Sequence, residues 1–255
     1  TCVIVFGGPQ VPESKEGMKE FLENNPFIDI GCYGEGETTV LKILENLNNR
    51  LWGGVPSAGF IAKDGKFNYN RAGERIEDIN KIPSPYLESV FDLLMQENPN
   101  ENWAALVETN RGCPYMCAYC YWGVRSRSRV CKYDMERIFK EIDWISRHKI
   151  SFVFCCDANF GIFERDADIA AKVAENKKEY GYPEVFSVQN TKNSTERIIS
   201  LQKILNDAGL QKGVNLALQS MDKNTLKNIQ RNNISIEMYK DLAEKFSREK
   251  ISTFS

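Results

Sequence analysis

Apolar residues fall in short blocks separated by polar stretches of helical period, and this alternation runs along most of the chain. Val3-Ile-Val-Phe6 is a continuous apolar run stopped by Gly7-Gly8-Pro9, which predicts a buried strand and a turn. A helical stretch follows around 15–23, then a second short strand at Phe27-Ile-Asp-Ile30. Gly34-Glu-Gly-Glu37 leads into a helix over 38–48, where Val40, Ile43, Leu44 and Leu47 share one face. Serial strand and helix units imply a parallel α/β layer, so residues 1–48 resemble the closing half of a doubly wound sheet.

Residues 49–102 have a different texture. Gly53-Gly54, Pro56, the turn signal Asp64-Gly65 between Phe60-Ile-Ala and Phe67-Asn-Tyr, and Pro83-Ser-Pro85 predict a connector that carries a small hairpin. From 103 to 255 the alternation resumes, with strands expected at 104–108, 151–155, 185–189, 214–218 and 251–254. The clearest helix spans 134–147, with Met135, Ile138, Phe139, Ile142 and Ile145 on one stripe. Repeated β-α units with buried parallel strands predict a barrel or partial barrel whose ligands gather where the strands end. The chain opens at Thr1 within a strand and closes as another starts, so it reads as a piece of a longer protein.

Composition excludes several classes of function. The 255 residues are 42% hydrophobic and 27% charged, and 33 Lys plus Arg against 35 Asp plus Glu leave a net charge of −2. No overall basic field argues for a nucleic acid or an acidic membrane surface. No apolar run approaches the roughly 18 residues of a membrane-spanning helix. No cationic leader is seen, and the cytoplasm is the expected compartment.

The eight cysteines are distributed unevenly. Cys2, Cys32, Cys131, Cys155 and Cys156 are scattered or lie in apolar text. Cys113, Cys117 and Cys120 fall within one short loop after the first barrel strand, in Glu108-Thr-Asn-Arg-Gly-Cys-Pro-Tyr-Met-Cys-Ala-Tyr-Cys-Tyr-Trp-Gly123. Such clustering in a long chain suggests a metal or redox site rather than a disulfide framework. Three thiolates can wrap a four-iron cluster and leave one iron open to a small ligand, whereas a zinc knot would need a distant fourth ligand. Zinc sites usually pair two knuckles, and this chain has one histidine, His148, which reads as an exposed helix-end residue.

The loop resembles that of the radical S-adenosylmethionine enzymes. That resemblance implies a 4Fe-4S cluster on Cys113, Cys117 and Cys120, with S-adenosylmethionine chelated by the open iron and cleaved by one electron to a 5′-deoxyadenosyl radical. It places Tyr119 beside the adenine. It assigns Asp157 and Asn159, after the second strand, to the methionine amino group, although the pair also reads as a helix cap and a turn. After the fourth strand, Gln219, Ser220 and Arg231 match the segment that meets the ribose and carboxylate, and Gln189 sits at the same rim. Arg125, Arg127 and Arg129 neutralise an anion or are solvated loop charges. Cys155 and Cys156 read as small core residues.

The front half resembles the later part of the cobalamin-binding domain that precedes the radical domain in one large subgroup. Gly7 and Gly8 after a strand, with Gly34, Glu35 and Gly36 after the next, would line the nucleotide tail of cobalamin. A Rossmann-like half that has lost its cofactor is the alternative. The resemblance therefore implies an α/β chain: a partial (β/α) barrel of the radical S-adenosylmethionine (SAM) type, preceded by the closing half of a Rossmann-like cobalamin-binding domain. The activity it implies is methyl transfer to an unactivated centre of a small molecule or peptide, with a flavodoxin or ferredoxin as reductant. Neither a membrane nor a nucleic acid partner is expected. Rival readings are a cobalamin-free radical enzyme such as a methylthiotransferase, and a non-catalytic iron-sulfur electron-transfer module.

Overall fold

Strands β1 (Val5–Phe6) and β2 (Ile30–Cys32) lie side by side and parallel, with Val5 opposite Ile30 and Phe6 opposite Gly31. The computed structural model describes residues 2–123, 128–191, 196–211, 213–216 and 218–254. Helix α1 (Lys15–Asn24) connects the two strands. Ser14 caps it by accepting from the Gly17 amide at 3.1 Å, which satisfies one of the unpaired donors of the first turn. Met18 and Leu22, one turn apart, are buried against the sheet. Met18 sits so close to Gly31 and Gly59 that a Cβ at either would approach it to 2.5 Å. Helix α2 (Glu37–Glu45) follows β2, and the hairpin β3 (Ala58–Ile61) and β4 (Phe67–Tyr69) extends the sheet antiparallel in the order β1-β2-β3-β4. One apolar cluster gathers Val11, Met18, Leu22, Ile28 and Tyr33, and a second holds Ile30, Cys32, Ile43, Trp52, Val55, Ala58 and Phe60.

Three expectations change here. Ile4, Val5 and Phe6 are exposed, not buried, because β1 is the edge strand of its sheet. Helix α2 buries Thr39 and Ile43 and leaves Val40 and Leu44 exposed, and Leu47, expected on the same helix, lies past its end and is exposed too. The Thr39 hydroxyl donates to the Pro56 carbonyl at 3.2 Å, which sets the helix rotation. The hairpin expected in the connector belongs to the front sheet, so the chain divides into Thr1–Glu77 and Asp78–Ser255 and not at 48 and 102. Strand pairing, which is a long-range property, decides that boundary.

In the second unit, β5 (Ala104–Val107), β8 (Phe152–Cys155) and β9 (Val185–Ser187) form a parallel sheet. Between β5 and β8 lies the short antiparallel pair β6 (Asn110–Arg111) and β7 (Cys131–Lys132). Strands β10 (Gly213–Asn215) and β11 (Ser252–Phe254) make a second parallel pair. Helices α4 (Met135–Arg147), α5 (Arg165–Tyr180), α6 (Glu196–Asp207) and α8 (Ile236–Arg248) alternate with these strands, while α3 (Asp92–Glu97) precedes β5 and α7 (Lys223–Asn228) follows β10. Ile138, Ile142 and Ile145 on α4 are buried as their spacing predicts, and Ile142, Ile145, Val153, Val173 and Phe186 close on one small apolar gap.

Before β5, α3 buries no side chain, but Tyr86 has a clear function. Its hydroxyl donates to the Leu106 carbonyl at 2.7 Å and accepts from the Leu106 amide at 3.1 Å, covering the open edge of β5. Among the described residues no helix is long and apolar enough to cross a membrane.

Candidate functional site

The cysteine loop leaves β5 and is closed at its base by β6 and β7, where Asn110 faces Lys132 and Arg111 faces Cys131. Gly112 has φ of 123°, a conformation open to glycine but not to a side chain, and it turns the chain toward Cys113. The Cys120 amide donates to the Cys117 carbonyl at 3.0 Å and the Gly123 amide to the Cys120 carbonyl at 2.8 Å. A Cβ on Gly123 would lie 2.1 Å from the Cys117 carbonyl oxygen, so the turn admits no side chain there. The Ala118 amide donates to the Ile229 carbonyl at 2.9 Å, tying the loop to the segment after α7. Cys113 and Cys117 are buried and Cys120 is half-buried.

Two side chains after β8, the buried Asp157 and the half-buried Arg165, hold the loop base. Asp157 accepts from the Thr109 amide at 2.7 Å, the Asn110 amide at 3.1 Å, the Asn110 Nδ2 at 2.6 Å and the Thr109 hydroxyl. Burial pushes its carboxyl up to about 6, against the pull of the Thr109 and Asn110 hydrogen bonds and with a further push from Asp166. Arg165 donates from Nη1 to the Tyr133 carbonyl and from Nη2 to the Thr109 carbonyl, both at 2.6 Å. Asp166 accepts from the Gly161 and Phe163 amides, and burial raises its carboxyl too.

Asn159 is 2% exposed, donates from Nδ2 to Cys113 Sγ at 3.1 Å, and leaves its Oδ1 buried without a partner. Thus Asp157 and Asn159, expected together at the methionine, separate in role. Both Asp157 oxygens are occupied by the loop base, while Asn159 reaches the thiol.

A second cluster joins the loop to β10. Arg231, almost fully buried, donates from Nη1 to the Tyr119 hydroxyl at 3.1 Å and from Nε to Asn233 Oδ1 at 2.7 Å. Asn233 Nδ2 donates in turn to the carbonyls of Leu218 at 2.5 Å and Ser220 at 2.8 Å. The structure therefore brings together Tyr119, Ser220 and Arg231. Gln219 beside them is exposed, with φ of 58°. Gln189 is exposed at the β9 exit, where its carbonyl accepts from the Phe160 amide at 2.8 Å. Arg125 and Arg127 lie outside the described residues, and Arg129 is exposed. His148 sits at the end of α4 stacked on Trp144, as expected. Cys155 is a core residue whose thiol burial raises strongly, whereas Cys156 is exposed and not part of the core.

In the first unit, Gly7 and Gly8 leave β1, and Gly34 and Gly36 follow the neighbouring β2; all four are exposed. Gly8 and Gly34 have positive φ, 89° and 74°. Nothing lies within 4 Å of a Cβ built on Gly8 or Gly36, so backbone can meet a ligand directly there. Glu35 differs from its glycine neighbours, since its carboxylate accepts from Arg75 Nε at 3.1 Å and from the Ile76 amide at 3.2 Å. It anchors the segment after β4.

Among the described residues no three His, Cys, Asp or Glu side chains converge to hold a single metal ion. A four-iron cluster sets its cysteines on separate irons and so holds their sulfurs apart. Thiols with an amide donor already on one sulfur are the donor chemistry such a cluster takes. Asn159, Thr109, Asn110 and Arg165 thus form a supporting shell, and of these only Asn159 was expected at the site. Asn233 bonds the Leu218 and Ser220 carbonyls 15 and 13 positions away, and Tyr86 bonds Leu106 20 positions away, contacts that spacing in the sequence does not show.

Comparison with known proteins shows the family and the fold. The family model described as Radical SAM superfamily matches residues 107–255. The 2-(S-pantetheinyl)-carbapenam-3-carboxylate methyltransferase of Streptantibioticus cattleyicolor is 37% identical over 99% of the chain, and the cobalamin-dependent radical SAM methyltransferase TokK of Streptomyces tokunonensis is 35% identical over 99%. The chain spans 37% of the length of each. Among solved structures, the radical S-adenosylmethionine methyltransferase TsrM from Kitasatospora setae, with tryptophan and a SAM analogue bound, superposes with a TM-score of 0.67 at 15% identity. That match covers 98% of this chain and 48% of TsrM, and it shows a shared fold.

Proposed function

The chain belongs to the radical SAM superfamily, and on that footing we propose that it is part of a cobalamin-dependent methyltransferase acting on an unactivated carbon or phosphorus centre of a small molecule or peptide. The observation that carries the reading is the pinned three-thiol loop at the exit of β5, in a chain similar over its whole length to two methyltransferases. When bound, the cluster would supply one-electron cleavage of S-adenosylmethionine and cobalamin would carry the methyl group.

The chain's own residues bind and orient. Cys113, Cys117 and Cys120 would hold the cluster, and Asp157 and Arg165 fix the loop that presents them. Tyr119, steadied by Arg231, offers an aromatic face to the adenine, while Ser220, Gln219 and Gln189 stand at the rim for the ribose and carboxylate. Gly7, Gly8, Gly34 and Gly36 leave the backbone open to cobalamin's tail. A low-potential electron donor such as a flavodoxin or ferredoxin, and a cytoplasmic location, complete the proposal.

Anaerobic reconstitution of the full-length protein with iron, sulfide and hydroxocobalamin tests it. The expected result is about four irons per chain, retained cobalamin, and S-adenosylhomocysteine or 5′-deoxyadenosine on adding S-adenosylmethionine and a strong reductant. Cys120→Ala should abolish both products. A colourless protein holding one zinc and no iron would end the reading. Turnover without cobalamin would favour a methylthiotransferase-like enzyme, and a cluster that ignores S-adenosylmethionine would favour an electron-transfer module.

A further inference from the structure

The two polar side-chain atoms of Asn159 behave differently. The next residue, Phe160, is fully buried and bridges to the segment after β9: its amide donates to the Gln189 carbonyl at 2.8 Å and its carbonyl accepts from the Thr191 amide at 3.0 Å. The turn that carries Asn159 is thereby fixed at its next residue. Asn159 Nδ2 donates to Cys113 Sγ at 3.1 Å, while Oδ1, equally buried, has no partner. Leaving a buried carbonyl unpaired carries a desolvation penalty, and a hydrogen bond to a neutral thiol is too weak to offset it. A thiolate on iron is a charged acceptor, and a hydrogen bond to it is about twice as strong.

We propose that Asn159 sets the reduction potential of the cluster through its N–H···S bond to Cys113. This rests on the cluster reading above. The amide donor draws electron density from the Cys113 sulfur, which stabilises the reduced, more negative form over the oxidised one. Removing the donor makes the cluster harder to reduce. Because the bond falls on Cys113, the effect enters through the iron that this cysteine would bind. Asn159 acts through the cysteine and is a tuning residue.

The test is a redox titration of reconstituted full-length protein without S-adenosylmethionine, with titanium(III) citrate as reductant. Titanium(III) gives one electron to the cluster and becomes titanium(IV), and no bond forms or breaks. Asn159→Leu should shift the reduction equilibrium about tenfold against reduction, about 59 mV for a one-electron couple. Asn159→Asp keeps the shape but replaces the donor with an acceptor, and should shift it at least as far. Pulsed EPR in deuterated buffer should show an exchangeable proton near a cysteine sulfur in the wild type, absent in both variants.

Equal potentials in wild type and variants, all with full iron content, would overturn the tuning role and leave the cluster reading intact. Failure of both variants to take up iron would also overturn it, in favour of a purely structural asparagine. A wild type that assembles no iron-sulfur cluster would instead sink the reading beneath it.

Discussion

The two candidate binding regions are built in opposite ways. In the first unit the rim is glycine and bare backbone, open at Gly8 and Gly36, and its one charged residue, Glu35, is turned to Arg75. In the second unit the rim is a loop held by side chains from other elements: the buried Asp157, Asn159 and Arg231 and the half-buried Arg165. A large cofactor with many peripheral groups needs room for the chain to approach. A cluster on three sulfurs needs those sulfurs held in fixed positions, which takes a supporting shell. Tolerance to substitution should therefore differ between the two.

The sharpest contrast is between two glycines. Gly123→Ala should cost about 3 kcal/mol and most of the bound iron, since its methyl group meets the Cys117 carbonyl. Gly8→Ala meets no atom and should cost only the left-handed backbone term, about 1–2 kcal/mol, with iron content unchanged and cobalamin retention reduced. Thermal melts with iron and cobalamin assays read both. Equal iron loss in the two would erase the distinction.

Asp157 gives the shell a pH signature. Its folded carboxyl is raised from 3.8 to about 6, so the native state holds the proton more tightly than the unfolded chain. The stability this confers is full below about pH 4 and is lost as pH rises through about 6, on the order of 3 kcal/mol. Urea unfolding of wild type against Asp157→Asn, from pH 4 to 7, should show the difference falling with pH and then levelling. A flat difference would mean that the carboxylate is not buried in this way.

Weaker effects follow at the periphery. Arg231→Met frees Tyr119 and unties Asn233, and should weaken S-adenosylmethionine binding about tenfold, near 1.4 kcal/mol by calorimetry. Unchanged affinity would leave Arg231 a packing residue. Glu35→Gln, which loosens a partly exposed ion pair, should cost under about 1 kcal/mol and leave cobalamin retention alone. A loss of cobalamin there would return Glu35 to the binding rim.

Much of this was legible in the residues. The spacing of Cys113, Cys117 and Cys120 marks its loop without any structure, and the stripe of Ile138, Ile142 and Ile145 predicts α4 and its buried face. The strands near 104, 152, 185, 213 and 252 follow from apolar blocks. Other features were hidden because each joins residues far apart in sequence. The β6 and β7 pair spans the whole loop, Asp157 meets Thr109 across 48 positions, and Arg231 meets Tyr119 across 112. The apolar run ending at Phe6 promised burial, but whether a strand is central or at an edge depends on which neighbours pair with it.

By itself, then, the sequence determined the local elements and the thiol chemistry, because periodicity and residue type act over a few positions. Only the tertiary structure decided which carboxylate is consumed in holding the loop, which amide touches a sulfur, and where one unit ends and the next begins. Those outcomes depend on what surrounds a polar atom once water is removed, and no stretch of chain carries its own surroundings.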